Sequence, residues 1–159
     1  MKNAYGRYLR WLYRGNRPNW FAQWQNHLSA VLFATGIARG RAAALDIRGR
    51  RTGRIISFPV AIADYQGGRY LVSMLGNDVN WVRNLEAADG RARLRHGRRE
   101  SVRLVRVDPT QSAPILKRYL EIAPGARPHI PVDRRASLAE FERISADYPV
   151  FRIEPVDVA

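Results

Sequence analysis

The chain has 159 residues, 27 Lys and Arg against 14 Asp and Glu for a formal net charge of +13, and no cysteine. Such a length suits one domain that buries a core without disulfides or a structural metal, and 46% hydrophobic with 26% charged residues describes a globular chain. The missing thiols exclude a disulfide framework, a cysteine nucleophile and cysteine-ligated zinc or iron–sulfur sites; His27, His96 and His129 lack metal-pair spacing, so no metal is expected.

Lys2 and Lys117 are the only lysines, so the basic character is almost wholly arginine. The excess favours polyanions: nucleic acid, an anionic membrane surface, or a ligand bearing phosphate or carboxylate. No acid precedes Asp46, whereas Lys2, Arg7, Arg10, Arg14, Arg17, Arg39 and Arg41 all do. No stretch approaches the roughly 18–20 apolar residues of a membrane span. The longest candidate, residues 28–37, is interrupted by Ser29, Thr35 and Gly36. A cytoplasmic protein is expected, with peripheral contact to the inner face of the cell membrane as an option.

Residues 1–35 place Tyr5, Tyr8, Trp11, Leu12 and then Phe21, Trp24, Leu28, Val31, Leu32 at three- and four-residue steps. That period predicts two amphipathic helices, broken at residues 15–18. Arginine interleaved with tryptophan and tyrosine is the composition of an interfacial helix, although packing of these aromatics on the domain body is the first reading. An N-terminal unit 1–43 and a body 44–159 follow.

From residue 44 the pattern becomes one of short strands. Residues 44–48 and 55–63 read as strands, and residues 69–74 as a third after a hairpin turn at Gly67-Gly68. Residues 78–87 predict a helix with Trp81, Val82 and Leu85 on one face. A second hairpin, 91–95 with 101–107, turns at His96-Gly97 and alternates arginine with apolar residues, as half-buried strands do. Residues 109–122 predict a helix with Pro109 in its first turn, and 124–131 a loop. A capping box from Ser137 to Glu140 opens another helix, and 149–154 is a last strand. The fold class expected is α+β: a barrel-like sheet of about six antiparallel strands, with helices at the N-terminus, between hairpins and near the C-terminus.

Two local sequences can carry chemistry. Residues 47–54 read I-R-G-R-R-T-G-R between two strands. Glycines allow close backbone approach and arginine pairs bidentately with phosphate or carboxylate, so this is either an anion cradle or an exposed basic hairpin. It is neither a Walker loop nor a G-x-G-x-x-G fingerprint. Residues 72–85 end a strand in a small polar loop that opens a helix, whose N-terminus can receive an anion or a polar ring edge, with Ser73 and Asn80 as hydrogen-bonding groups. Trp81 reads first as a core anchor. No G-x-S-x-G elbow, helix-turn-helix, RRM or basic zipper is present, so hydrolysis and nucleic-acid binding are not expected.

The order G-R-x-[ST]-G after a strand, then a strand containing Pro-Val, then a loop into N-W-x-R-N-L resembles the deazaflavin-dependent nitroreductase and quinone reductase family. These are actinobacterial flavin/deazaflavin oxidoreductases with a split β-barrel. The resemblance runs from about residue 44 to residue 153. It implies hydride transfer from reduced coenzyme F-420, in preference to FMN, to a quinone, a nitro compound or an activated alkene. Arg51, Thr52 and Arg54 would hold the cofactor phosphate or acidic tail. Ser57, Phe58, Pro59 and Val60 would run along the ring, with Ser73, Gly76, Asn80, Trp81 and Asn84 closing the other side. Trp20, Phe21, Trp24 and Phe141 would line the acceptor pocket, and no catalytic base is assigned. The chain departs from the better-known nitroreductases in its lysine-free loop 73–77 and in Ile56, where they carry a basic residue. Other expected partners are an anionic membrane surface through residues 1–35 and a second copy in a homodimer. The alternative is a non-catalytic, membrane-associated split barrel that binds a lipid, haem or a flavin.

Overall fold

A computed structural model describes residues 41–157. The predicted N-terminal helices, with Trp20, Phe21 and Trp24, lie outside the described residues. Seven strands form one antiparallel sheet: β1 (Ala42–Arg48), β2 (Ile55–Ala61), β3 (Ala63–Tyr65), β4 (Gly68–Val72), β5 (Arg91–Arg95), β6 (Arg99–Arg106) and β7 (Val150–Pro155). Among the described residues three α-helices accompany them: α1 (Asn80–Ala87), α2 (Pro109–Ile122) and α3 (Leu138–Ile144).

The strand order is β2-β1-β5-β6-β7-β4-β3. β2 and β3 are therefore the two edges of the sheet, yet only Ile62 separates them in the chain. The sequence predicts one strand over 55–63. The structure bends it at Ile62, whose N–H donates to Arg41 O at 2.7 Å. Its first half then pairs with β1 (Ala43↔Val60, Leu45↔Phe58) and its second half with β4 (Ala63↔Tyr70). One bent segment thus draws the edges together into a split barrel, and the expected six strands become seven. The β3–β4 turn sits one residue earlier than expected, at Gln66 and Gly67, with φ of 46° and 78°. Two left-handed residues match the right-handed strand twist of a tight hairpin, and Gly68 begins β4 instead of turning the chain.

Two-residue alternation sorts the side chains into two cores. Inside the barrel, Leu45, Ile47, Leu71, Leu94, Val102, Leu104, Phe151 and Ile153 meet Val82 and Leu85 of α1. On the outer side of β3, β4 and β7, Ala63, Val72 and Val150 pack against Leu116, Tyr119 and Leu120 of α2 and Phe141 of α3. Local signals start the helices where the sequence places them. The Asp108 carboxylate accepts from Thr110 N at 2.9 Å with Pro109 in the first turn, and Ser137 with Glu140 forms the capping box.

One polar pair bridges β4 and β6. Arg69 Nη1 and Nη2 donate to Glu100 Oε2 and Oε1 at 3.0 and 2.6 Å, and His96 Nε2 lies 3.2 Å from Oε2. The hydrogen bonds from Arg69, followed by the contact with His96, outweigh burial and hold the Glu100 carboxyl at about 2 against an ordinary 4.5. A carboxylate depressed in the folded state stabilises the fold above its unfolded value, and that contribution disappears as pH falls through the folded value. Glu100→Gln is expected to lower the melting temperature at pH 7 and to flatten its fall between about pH 4.5 and 2. Melting curves across that range check this; parallel pH profiles for the two proteins would contradict the assignment.

Candidate anion and cofactor site

The arginine-rich turn between β1 and β2 is a closed loop. Gly49 N–H donates to Arg54 O at 2.8 Å, and Gly53 N–H to Gly49 O at 2.9 Å. Gly53 has φ of 71°, in the region where a side chain is strained. Arg54 N–H donates to Thr52 Oγ1 at 3.3 Å.

Arg50 fastens this loop to α1. Its backbone N–H and Nη1 donate to Asn84 Oδ1 at 3.2 and 2.8 Å, and Nη2 reaches Asn80 Oδ1 at 3.5 Å. Asn84 is buried, so its carbonyl oxygen needs a donor, and the guanidinium supplies it. The sequence reading passes over Arg50, because four arginines in one turn are indistinguishable until the helix is set beside them. With Arg50 so held, Arg51, Thr52 and Arg54 are exposed, and neither the Arg51 nor the Arg54 guanidinium has a hydrogen-bond or ion-pair partner among the described residues. The adjacent first turn of α1 has no side-chain cap and no acid. Unpaired N–H groups, the positive end of the helix dipole and two unpaired guanidinium groups together suit a phosphate or carboxylate.

The remaining predicted residues separate by strand face. Ser57 and Pro59 are on the outer side of β2, where Ser57 Oγ donates to Asp46 Oδ1 at 2.5 Å. Arg95 holds the same carboxylate bidentately, from Nε at 2.8 Å and Nη2 at 2.9 Å. Phe58 and Val60 turn inward against the barrel core. Trp81 lies between Phe58 and Phe151, with ring centroids 5.8 and 5.5 Å away, in the tilted geometry aromatic rings favour. Ser73 is fully buried, and its hydroxyl donates to Gly76 O at 2.6 Å, bracing the lysine-free loop. Phe141 is 0% exposed in the helical layer, so its ring has no free surface here. The fold thus gathers Arg51, Thr52 and Arg54 with Asn80 and Asn84 around Arg50, and sets the four consecutive β2 residues on alternate sides of the sheet.

Among the described residues no group of three or more His, Asp or Glu is placed to hold a metal ion, and no helix is long and apolar enough to cross a membrane.

The fold defines the class: an α+β protein built on a split antiparallel barrel. No family model matches the chain, and no curated protein matches its sequence. Solved structures do share its fold. A protein of unknown function from Agrobacterium tumefaciens superposes with a TM-score of 0.56 at 16% identity, covering 84% of this chain and 56% of that one. The chain therefore spans little more than half of that protein's length. A candidate 5-nitroimidazole antibiotic resistance protein from Bacteroides thetaiotaomicron gives 0.53 at 10% identity, covering 79% and 78%. A conserved hypothetical protein from Mycobacterium tuberculosis gives 0.52 at 14%, covering 81% of each chain.

Proposed function

We propose that this chain is an oxidoreductase that binds reduced coenzyme F-420 and reduces a quinone, a nitro compound or an activated alkene. The observation that carries the reading is the loop of residues 49–54. Arg50 is committed to Asn84 and Asn80, which leaves Arg51 and Arg54 unpaired beside an uncapped helix start. The order of motifs from the arginine turn to N-W-x-R-N-L supports it from the sequence side.

The residues present suit the anionic part of the cofactor. Arg51 and Arg54 would bind its phosphate or acidic tail by charge-assisted hydrogen bonds, with the Thr52 hydroxyl and the first N–H groups of α1 as further donors. Asn80 and Asn84 act through Arg50 by fixing where the loop stands. β2 is an edge strand, so one row of its backbone N–H and C=O groups is outside the ladder and able to meet a polar ring edge. Ser57 and Pro59 flank that edge on the outer side, while Phe58 and Trp81 back it with a packed apolar wall. When bound, the deazaflavin supplies the hydride; the protein supplies binding, orientation and exclusion of water. The acceptor pocket expected from Trp20, Phe21 and Trp24 lies outside the described residues.

Fluorescence titration of the full chain with oxidised coenzyme F-420, with FMN as control, tests this reading. Saturable binding at micromolar or tighter levels, with FMN weaker, is the expected result. Absence of binding, or a preference for FMN, would overturn it.

A further inference from the structure

The positive charge of the described residues is segregated. The two adjacent hairpins, residues 42–61 and 91–106, contain eleven arginines and two acids. The rest, residue 41 with residues 62–90 and 107–157, contains ten basic and twelve acidic residues. In that second part several arginines have acidic partners, including Arg69 with Glu100 and Arg118 with Asp64 and Glu121. On the strands of these hairpins, Arg48, Arg91, Arg93 and Arg99 have no hydrogen-bond or ion-pair partner for their side chains among the described residues.

These arginines share the outer side of β2-β1-β5-β6, which no described helix covers. Register places Ser57, Asp46, Arg93 and Ser101 in one row across the four strands. It also sets arginine directly opposite arginine twice, Arg91↔Arg103 and Arg95↔Arg99. Like charges directly opposite destabilise a strand pair unless anions lie near them. Each pair has one member held by a carboxylate, Arg95 by Asp46 and Arg103 by Asp89, which leaves Arg99 and Arg91 as the members without one. Arg48, Arg91, Arg93, Asp46, Ser101 and Ile55 line a groove of about 530 Å³ on this face. At its rim Ile55, directly opposite Arg48, is 59% exposed, one of four large apolar side chains exposed among the described residues.

We propose that this face docks on a lipid bilayer bearing anionic headgroups, with phosphate groups entering the groove at Arg48, Arg91 and Arg93 and Ile55 reaching the acyl boundary. Guanidinium groups alone would suit any polyanion. Arginines beside an exposed isoleucine suit an amphiphile that offers phosphate and hydrocarbon together. No aromatic side chain stands on the outer positions of these four strands, so bases of a nucleic acid would find nothing to stack on. The groove arginines are distinct residues from Arg51 and Arg54 of the loop, and the inference does not depend on the cofactor.

The test is co-sedimentation of the full chain with vesicles of phosphatidylcholine containing about one third phosphatidylglycerol, compared with pure phosphatidylcholine. Binding to the anionic vesicles is expected. The triple variant Arg48→Gln/Arg91→Gln/Arg93→Gln should weaken it roughly a hundredfold, from about 1 kcal/mol per basic residue at such a surface. Arg→Lys at the same three positions should retain it, and Ile55→Ser should weaken it severalfold. Removing three charges elsewhere, by Arg134→Gln/Arg135→Gln/Arg143→Gln, should have a much smaller effect. Equal losses in the two glutamine triples would reduce the effect to net charge and overturn the proposal. So would unchanged binding in the first triple, or tighter binding to duplex DNA that is indifferent to Ile55. Circular dichroism melts of each variant confirm that these exposed substitutions leave the fold intact.

Discussion

Replacing Arg51 and Arg54 together by alanine is expected to weaken binding of oxidised coenzyme F-420 by two orders of magnitude or more, with little change in melting temperature. Both side chains are exposed and make no contact that supports the fold, so their loss is felt only when an anion is bound. A hydrogen bond to a charged group is worth about 1.5–3 kcal/mol; the lower figure applies at solvent-exposed positions, which for two guanidinium groups corresponds to roughly 150-fold. Asn84→Ala makes an instructive companion. It touches no proposed ligand, but it removes the acceptor that holds Arg50 to α1. Its expected signature is a smaller loss of affinity together with a measurable loss of stability, because a buried contact is removed as well. The fluorescence titration and a thermal melt separate the two. Equal affinity in wild type and the Arg51/Arg54 double variant would show that the loop does not hold the cofactor.

Phe141→Ala is expected to destabilise the protein by about 3–5 kcal/mol, the range for truncating a fully buried aromatic ring. For a chain of this size that corresponds to a fall in melting temperature of roughly 10–15 °C. Phe141 is 0% exposed and packs with Leu116, Leu120 and Val150, where α3 meets α2 and the sheet. Phe141→Leu, which retains most of the volume, should cost about 1.5 kcal/mol or less. A loss of only a few degrees in the alanine variant would mean that α3 packs less closely than this arrangement requires. The resemblance sets Phe141 in the acceptor pocket; its burial makes stability the first property that the substitution will change.

What could be read from the sequence is local. Pro109 and the Ser137–Glu140 capping box mark helix starts because N-terminal N–H groups need partners within a residue or two. The two-residue alternation of 91–95 and 101–107 marks strands because a half-buried pleat sorts side chains by period. Trp81 as a core anchor was legible from its place beside Val82 and Leu85 on one helical face. The arginine turn was visible as an anion cradle or a basic hairpin, but the sequence did not choose between them.

Tertiary structure decided everything that depends on which distant residues meet. Ile62 bends what reads as one strand, since each half pairs with a different partner and closure of the barrel demands the bend. Arg50 becomes a tether, and Arg51 and Arg54 remain unpaired, because the oxygens of Asn84 and Asn80 come within reach of only one guanidinium. Register places arginine opposite arginine on β5 and β6 and gathers the charge excess on one face; chain position alone scatters those residues across some fifty positions. Composition and periodicity thus determined the class of fold and the kinds of residue available for binding. Which of them are free to bind was determined by long-range pairing, because an arginine's availability depends on the carboxylates and carbonyls that the fold brings to it.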